Sequence, residues 1–329
     1  MPSDTVRGAL IIVGSGSQQA EIKAWQEAWV GENNGVSVNF SPDGQDVGLE
    51  ALFSDNTYVA TSDTPLTRAE TPVSSDTCGP ERAFSIPTSI SPVGVVYNLS
   101  GRSGLKLDAP TLSGIYSGSI KKWNDPKLLV LNPTLDLPAK DIVPVTSGSH
   151  SAMTFASSSY LSGNSGQLWP ASGSFTWPGD VAGKKVDSDK DIAKEVDDTF
   201  GSIAFLGSAD IGNRFATASL EFNGEFVSPT TEQIKIAIAN SEVTVTSEGV
   251  SVDMVSQTGQ GYPLASVRYQ VFCSRYKNKP TATLVKSWAS FVVSEPGQTK
   301  VWVALGSFSP NQQALSASRK LAASIDYNR

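Results

Sequence analysis

The sequence predicts an α/β protein with a parallel sheet and about two domains. Strand-like and helix-like segments alternate from the start of the chain, the order that builds parallel sheets with right-handed crossovers. The chain has 329 residues, and domains of roughly 150 residues are typical. Small polar residues follow the first strands, and ligands of open parallel sheets lie beyond the carboxyl ends of the strands.

The first strand and helix are predicted from an apolar run and a helical stripe. ALIIV (9–13) is continuously apolar and is followed by GSGS, so it predicts a buried strand. Ile22, Trp25 and Trp29 then recur at helical spacing, which predicts a helix over 18–30 with these side chains inward.

The next segments continue the same alternation. Strands are predicted over 36–40 and 57–63, the second one ending at Asp63 before a proline. QDVGLEALF (45–53) lies between them and predicts a short amphipathic helix. Its inward side chains are predicted to be Val47, Leu52 and Phe53.

The rest of the chain yields a longer series of elements. Further strands are predicted at 84–98, 141–145, 201–206 and 266–273. Further helices are predicted from Ser151 onward and at 189–198, 230–240, 281–293, 299–305 and 312–325. Residues 107–126 predict a helix, a turn and an exposed turn at Trp123–Asp125, whereas 162–182, rich in Gly, Ser and Pro, predict a surface excursion.

Composition excludes two classes of partner. The net charge is −7 and no basic run exceeds a lysine pair, so the cation clusters that bind nucleic acid are absent. No apolar window of about 18 residues predicts a membrane span. The first residues, MPSDTVRGAL, lack the basic start and apolar core of a signal peptide, so we expect that any leader is absent from this sequence.

Catalytic chemistry is poorly supported. His150 is the one histidine, and the nucleophile elbow G-x-S-x-G does not occur. GSGSQQ lacks the third glycine of a dinucleotide fingerprint and the G-K-[ST] of a P-loop. One histidine also leaves no plausible catalytic metal set. We therefore expect a binding protein rather than an enzyme, with neither a metal nor a cofactor.

PVTSGSHSAMTF (144–155) is the most informative loop. A strand runs into Ser, Gly and His, and a helix starts near Ser151. That arrangement is typical of an oxyanion cradle at a helix N-terminus. The loop contains neither Arg nor Lys, which leaves open whether it binds an anion.

The two cysteines, Cys78 and Cys273, are far apart in sequence. Their spacing excludes a CxxC metal site. Two buried thiols and one disulfide, which indicates an oxidising compartment, both remain open at this point.

Motifs along nearly the whole chain resemble the PstS-like phosphate receptors of bacterial ABC importers, which are type II periplasmic binding proteins. The resemblance is carried by VGSGSQQAEIKAW, VNFSPDGQDVGLEALF, ATSDTPLT, IYSGSIKKWNDP and LPAKDIVPV, in family order. It implies two α/β lobes joined by a strand hinge, with the ligand cleft between the lobes.

The resemblance also implies domain bounds, a compartment and partners. Lobe I would be 1–92 plus 266–329, and lobe II would be 93–265. Cys78 and Cys273 would then share lobe I, which favours a disulfide. The implied protein is extracytoplasmic, in the periplasm, at the cell surface or secreted. It would be a monomer that binds a small-molecule solute and meets an ABC permease.

The first lobe carries part of the ligand set that the resemblance implies. Gln18 stands where the family has a phosphate-binding threonine, and Gln45 stands where it has a serine, with Asp46 beside it. Asp63 matches the family aspartate that accepts a proton from bound phosphate.

The third family loop, R-x-D-G-S-G-T-[TS]-F, departs further. Ser147 stands at the arginine and Ser149 at the aspartate that holds that arginine, while Ser151 is retained. The full candidate ligand set is Ser15, Ser17, Gln18, Gln45, Asp46, Asp63, Ser147, Ser149, His150 and Ser151.

Three functional hypotheses follow. The first is a solute receptor of altered specificity for a neutral polar or cationic solute, because the family arginine is missing. The second is phosphate or oxyanion binding with a rewired donor set, in which Arg68 or Arg82 supplies the cation. The third is a ligand-less surface interaction module or adhesin, which the Trp-containing segment 162–180 suggests.

Overall fold

A computed structural model describes residues 6–169, 172–254 and 260–328. The chain divides into two compact units. Unit 1 comprises Met1–Ile90, Ser241–Asp253 and Val267–Arg329, and unit 2 comprises Ser91–Asn240 and Met254–Ser266.

Strands and helices alternate in both units. The strands are β1 Gly8–Gly14, β2 Val36–Ser41, β3 Val59–Ser62, β4 Ala83–Tyr97, β5 Lys106–Leu107, β6 Val143–Ser147, β7 Lys184–Val186, β8 Ser202–Gly207, β9 Ala216–Thr217, β10 Ser219–Phe222, β11 Glu225–Val227, β12 Glu242–Thr246, β13 Gly249–Asp253, β14 Ala265–Cys273, β15 Arg275–Tyr276 and β16 Asp326–Tyr327. The α-helices are α1 Gln19–Glu32, α2 Gln45–Phe53, α3 Ser75–Cys78, α4 Ala109–Tyr116, α5 Pro126–Leu131, α6 Ala152–Asn164, α7 Asp189–Asp198, α8 Ser208–Ile211, α9 Thr231–Ala239, α10 Lys279–Val292, α11 Glu295–Leu305 and α12 Gln312–Ser324.

In unit 1 the first three strands form the predicted parallel arrangement. β1 lies between β2 and β3 and is parallel to both, with Ile12 opposite Phe40 and Val59. β14 pairs antiparallel with β3, so that Ser62 lies opposite Tyr269. The carboxyl ends of β1 and β3 therefore meet at one edge of the sheet.

The core of unit 1 is built around three tryptophans. Trp25 and Trp29 of α1 are buried, as predicted, and both contact Trp288 of α10 edge to face. Buried aromatic side chains remove a large apolar area from water. The Trp25 and Trp288 indoles also donate hydrogen bonds, to Gly297 O and Gln270 Oε1, each at 2.9 Å.

One inward assignment on α2 was wrong. Val47 is 48% exposed, whereas Leu49 and Leu52 are buried. Gly48 faces the sheet instead, and a Cβ there would lie 2.5 Å from Val13 O. The helix packs against β1 so closely that glycine is required at this position.

The hairpin β12–β13 belongs to unit 1, although the sequence-derived bounds place it in the middle lobe. The two strands pair antiparallel, and Gly249 pairs with Ser85 of β4. α12 packs against β13. A segment remote in sequence thus joins unit 1 through sheet pairing.

Unit 2 contains a second sheet region with its own polar edge. β6 is parallel to both β8 and β7, with Ser147 opposite Val186.

The prediction of an exposed turn at Trp123 was wrong, because Trp123 is fully buried and its indole donates to Gly201 O at 3.0 Å. Trp177 of the predicted excursion is also buried and stacks on Tyr116.

Cys78 and Cys273 form a disulfide within unit 1. The structure therefore favours the bonded alternative over two free thiols. The bond closes a sequence separation of 195 residues. Along the described parts of the chain, no helix combines the length and the apolar character needed to cross a membrane.

Candidate functional site

In unit 1 two serine hydroxyls converge on one carboxylate. Ser15 Oγ donates to Asp63 Oδ2 at 2.6 Å, and Ser17 Oγ donates to Asp63 Oδ1. Ser15 follows β1 and Asp63 follows β3, so the parallel pairing of these strands brings them together. Asp63 is 7% exposed, so its carboxylate accepts both hydrogen bonds in a buried position.

Close approach of the two strand ends depends on Gly14. Its φ is 148°, and a Cβ there would lie 2.3 Å from Thr61 O. Ser15 N donates to the same Thr61 O at 3.0 Å. Glycine at this position therefore sets the distance between the β1 loop and the end of β3.

Gln45 holds the backbone after β3 in place. Its Oε1 accepts from Asp63 N and from Ser62 Oγ, both at 2.9 Å. Its Nε2 donates to Thr64 Oγ1 at 3.3 Å. Asp46, by contrast, is exposed in the first turn of α2, a favourable place for a carboxylate at a helix N-terminus.

Gln18 is fully buried and is used by the protein itself. Its Nε2 donates to Tyr269 O at 2.7 Å and to Ser62 O at 3.2 Å. Its Oε1 accepts from Thr88 Oγ1 at 3.4 Å. The Gln18 side chain thus joins the loop after β1 to β3, β4 and β14.

A buried ion pair, which the sequence analysis did not identify, lies one helical turn further on. Arg268 Nη1 contacts Glu21 Oε1, and Ser307 Oγ donates to the same oxygen at 3.0 Å. Glu21 is 1% exposed. Although Arg268 is paired, burial lowers its pKa to about 10.

Arg82, one of the two proposed cations, lies at the other end of the sheet in unit 1. Ser274 N donates to Arg82 O at 2.9 Å, and the neighbouring Phe272 pairs with Val59 at the start of β3. Asp63 follows the opposite end of β3. Arg82 is therefore separated from Asp63 by the length of that strand.

Arg68, the other proposed cation, is exposed and interacts electrostatically with Glu248. Hydrogen bonds from Thr246 and Ser247, with a smaller contribution from the charge of Arg68, lower the pKa of Glu248. Leu66 N and the Glu248 backbone both bond Ser85, near the start of β4. The position of Arg68 near Glu248 gives no support for a cation at the strand-end serines.

In unit 2 the hydroxyl of Ser147 meets a carboxylate. Ser147, the last residue of β6, is 1% exposed, and its Oγ donates to Asp189 Oδ1. Asp189 N in turn donates to Ser149 Oγ at 3.3 Å. The sequence located the start of this helix at Asp189 but carried no signal that the carboxylate faces Ser147.

Ser151 caps α6, as the predicted helix start requires. Its Oγ accepts from Thr154 N at 3.1 Å, the usual capping bond. Its own N–H donates to Phe175 O at 2.9 Å. Segment 172–178 is therefore attached to the first turn of α6.

His150 ends an aromatic stack at this loop. Its ring lies 4.6 Å from that of Phe175 with a 12° interplanar angle, and Phe175 lies 4.6 Å from Phe155. The His150 residue is exposed, so the stack is open to solvent at its histidine end.

A second carboxylate, that of Asp210, feels the charge of Asp189. Although Asp210 of α8 is exposed, partial desolvation and the charge of Asp189 raise its pKa.

Across the ranges that the structure covers, no cluster of three or more His, Cys, Asp or Glu side chains is placed to hold a metal.

Only part of the predicted ligand set thus lies close together in each unit. Unit 1 brings together Ser15, Ser17, Gln45 and Asp63, and unit 2 brings Ser147 and Ser149 together around Asp189. Two α/β units linked by β4 and β14, with polar loops at strand ends, define the class of type II periplasmic-binding-protein folds.

Comparison with known proteins specifies the family. A family described as the PBP superfamily domain matches residues 2–296. The chain belongs to this superfamily and is a PstS-like member of it. Phosphate-binding protein PstS 2 of Mycobacterium tuberculosis is 28% identical over 295 residues, which cover 87% of this chain and 79% of that protein. PstS 3 of Mycobacterium leprae is 28% identical over 289 residues, which cover 84% and 76%.

Solved structures share the fold at lower identity. A phosphate-binding protein from Stenotrophomonas maltophilia has a TM-score of 0.67 at 18% identity, covering 95% of this chain and 93% of that one. An ABC-type phosphate transport receptor from Vibrio cholerae has a TM-score of 0.62 at 16% identity, covering 92% and 100%.

Proposed function

We propose that this protein is a non-catalytic, extracytoplasmic solute-binding protein that delivers a small solute to an ABC permease. We further propose that the solute is neutral and polar, or cationic, rather than phosphate. The first part is supported by the family and by relatives that are named phosphate-binding proteins. The second part is supported by the residues of unit 2.

The observation that carries the altered specificity is the Ser147–Asp189 hydrogen bond. Where the resembled family has a guanidinium, this chain places a hydroxyl that already donates to a carboxylate. A hydrogen bond to a charged group contributes about 1.5–3 kcal/mol. A serine in place of that guanidinium removes an attraction for the phosphate dianion. The neighbouring carboxylate of Asp189 would in addition repel the dianion.

The groups present suit hydroxyls and amines. Carboxylates accept hydrogen bonds from sugar hydroxyls or ammonium groups, and serine hydroxyls can donate or accept. Asp63 in unit 1 and Asp189 in unit 2 both already accept from serine hydroxyls. A solute that donates hydrogen bonds can therefore be accommodated without burying an unmatched charge.

A ligand titration tests this proposal. Desalted protein is titrated with phosphate, then with sugars, polyols and amines, while thermal unfolding is followed. A ligand at 100 times its dissociation constant stabilises by about 2.7 kcal/mol. We expect no response to phosphate and a response to a neutral or cationic solute.

A matched variant makes the test specific. Ser147→Arg restores the family cation beside Asp189, and it should give a phosphate response that the wild type lacks. Tight phosphate binding by the wild-type protein, confirmed by calorimetry, would contradict the altered specificity and favour a rewired oxyanion site.

The alternative of an adhesin drew on the Trp-containing segment 162–180. Trp169 and Trp177 of that segment are buried, so they present no exposed aromatic surface to a partner.

A further inference from the structure

The outer edge of the unit 1 sheet is formed by β2. This strand is outermost in the strand order, and its neighbour on the inner side is β1. Gly8 is the register partner of Val36, and Gly8 N donates to Gly35 O at 3.0 Å. Because a parallel strand bonds one neighbour through every second residue, β2 uses the backbone of Ser37 and Asn39 to bond β1.

The alternate residues of β2 direct their backbone N–H and C=O groups outward, away from β1. These residues are Val36, Val38 and Phe40. Across the described ranges no residue donates to or accepts from their backbone. The strand, VSVNFS, contains no charged residue and no proline, although proteins commonly protect a sheet edge with such residues. The outer side of β2 can therefore pair with a further strand.

A groove of about 490 Å³ lies between this edge and α1. β2 contributes its second half, residues 38–41, and Ile22 adds an apolar side chain from α1. The polar residues of α1 that line the groove are Gln19, Lys23 and Gln26. None of the described lining residues belongs to the set around Asp63, so the groove is separate from the strand-end serines.

The charge of the groove indicates what kind of partner fits it. Among the described residues that line it, Lys23 alone is charged. Lys23 is exposed and forms no ion pair with any carboxylate in the part of the chain that the structure describes. Glu27, one turn further along α1, lies 3.9 Å from Lys300 Nζ instead. A lysine without a partner beside open backbone groups is complementary to an acidic segment.

We propose that β2 binds an extended acidic segment of a partner protein, which adds to the sheet as a further strand. The outward backbone groups of Val38 and Phe40 bond the added strand, the usual source of affinity in strand addition. Side chains of that strand alternate between the two faces of the sheet, and an acidic one on the α1 face pairs with Lys23. A second copy of β2 has no carboxylate to offer Lys23. This activity goes beyond the proposed binding of a solute.

Peptide display on the full chain tests the proposal. A library of random ten-residue peptides is selected on the immobilised protein, and the recovered peptides are synthesised. We expect them to combine residues of high β propensity with an aspartate or a glutamate. Replacement of that acidic residue by lysine should weaken binding at least about fivefold.

Two measurements test whether the peptide adds as a strand. Binding should slow amide hydrogen exchange at Val38 and Phe40, whose N–H groups become bonded, whereas Ser37 and Asn39 already bond β1 and should change little. N-methylation of alternate peptide bonds removes the donors that face β2 and should abolish binding. Methylation of the other alternate bonds should be tolerated.

A charge reversal tests the acidic preference. Lys23→Glu should weaken the peptide complex at least about fivefold. Lys320→Glu on α12 makes the same charge change elsewhere in unit 1 and should stay within about twofold. Both lysines are exposed, and thermal unfolding of each variant without peptide verifies that it is folded.

Each other outcome overturns a specific statement. Recovery of no peptide, or equal binding of the two methylated peptides, overturns strand addition. Peptide binding that is unchanged in Lys23→Glu overturns the acidic partner. A dimer without peptide, in which exchange slows at Val38 and Phe40, overturns the partner protein and assigns the edge to a second copy. Failure of the solute titration overturns the proposed function alone, because no solute takes part in these measurements.

Discussion

The polar strand ends of the two units differ in how deeply their aspartates are buried. In unit 1, Asp63 is buried and bonded to serines that come 46 and 48 residues earlier. In unit 2, Asp189 is only partly buried, and Lys185 beside the same loop is exposed. A serine hydroxyl therefore donates to an aspartate in both units, but the aspartate is buried in unit 1 and only partly buried in unit 2.

This difference indicates in which unit a substitution could change ligand specificity with little loss of folding stability. The unit 1 set lies next to Gln18, whose amide joins three strands, and to the buried Glu21–Arg268 pair. A substitution there disturbs the core, where unmatched polar groups are costly. The unit 2 charges can change with little effect on folding, because water still reaches them.

The largest effect on stability is expected from removing the Cys78–Cys273 disulfide of unit 1. Replacing both cysteines, Cys78→Ser with Cys273→Ser, should lower the free energy of unfolding by about 4 kcal/mol, because the bond restrains a long loop in the unfolded chain. Urea unfolding followed by tryptophan fluorescence measures this loss. Reduction of the wild type should reproduce it, and a loss under about 1 kcal/mol would contradict a structural role.

Breaking the buried ion pair comes next. Glu21→Gln leaves the Arg268 guanidinium buried without its carboxylate, so a loss of about 3 kcal/mol in unfolding free energy is expected. The double variant Glu21→Gln with Arg268→Met should recover part of that loss. If the double variant is less stable than the single one, the buried charge is not the cause.

A smaller effect is expected at Gln18. Gln18→Leu removes the amide that donates to two backbone oxygens, which should cost about 2 kcal/mol of stability. The adjacent Gln19 is exposed, and Gln19→Leu should change stability by no more than about 0.5 kcal/mol. Equal urea midpoints for the two variants would show that Gln18 does not anchor the loop.

The smallest effect is expected in unit 2, at Asp210. Its pKa is raised in the folded state, so the protonated form favours folding. That contribution is present below the unfolded pKa and is lost as the pH rises through the raised folded pKa.

Asp210→Asn should therefore raise the unfolding free energy at neutral pH by less than about 1 kcal/mol. The gain should disappear in acid, as thermal unfolding across pH will measure. A gain that is equal at acid and neutral pH would rule out the charge of Asp210 as its origin.

Local patterns explain why much of the fold was predictable. The stripe of Ile22, Trp25 and Trp29 depends only on helical periodicity, and all three are buried. Ser151 caps its helix because a hydroxyl before a helix satisfies a nearby N–H. Val47 was misassigned because the close packing of Gly48 on β1 is a tertiary constraint that periodicity does not report.

The candidate site was only partly predictable for the same reason. Ser15 and Asp63 were found because both follow parallel strands that end at one edge. Asp189 was missed because nothing in its local sequence indicates that it neighbours Ser147. Its position follows from the parallel pairing of β6 with β7, in which Ser147 lies opposite Val186, three residues before Asp189.

The sequence by itself determined the order of strands and helices, the polar strand ends and the presence of a loop at Ser147 that contains neither Arg nor Lys. These features are local, since they depend on periodicity, capping and residue type. Only the tertiary structure decided that Gln18 serves the core and that Ser147 bonds Asp189. Those contacts join residues remote in sequence, and the register of neighbouring strands, which no local pattern encodes, sets them.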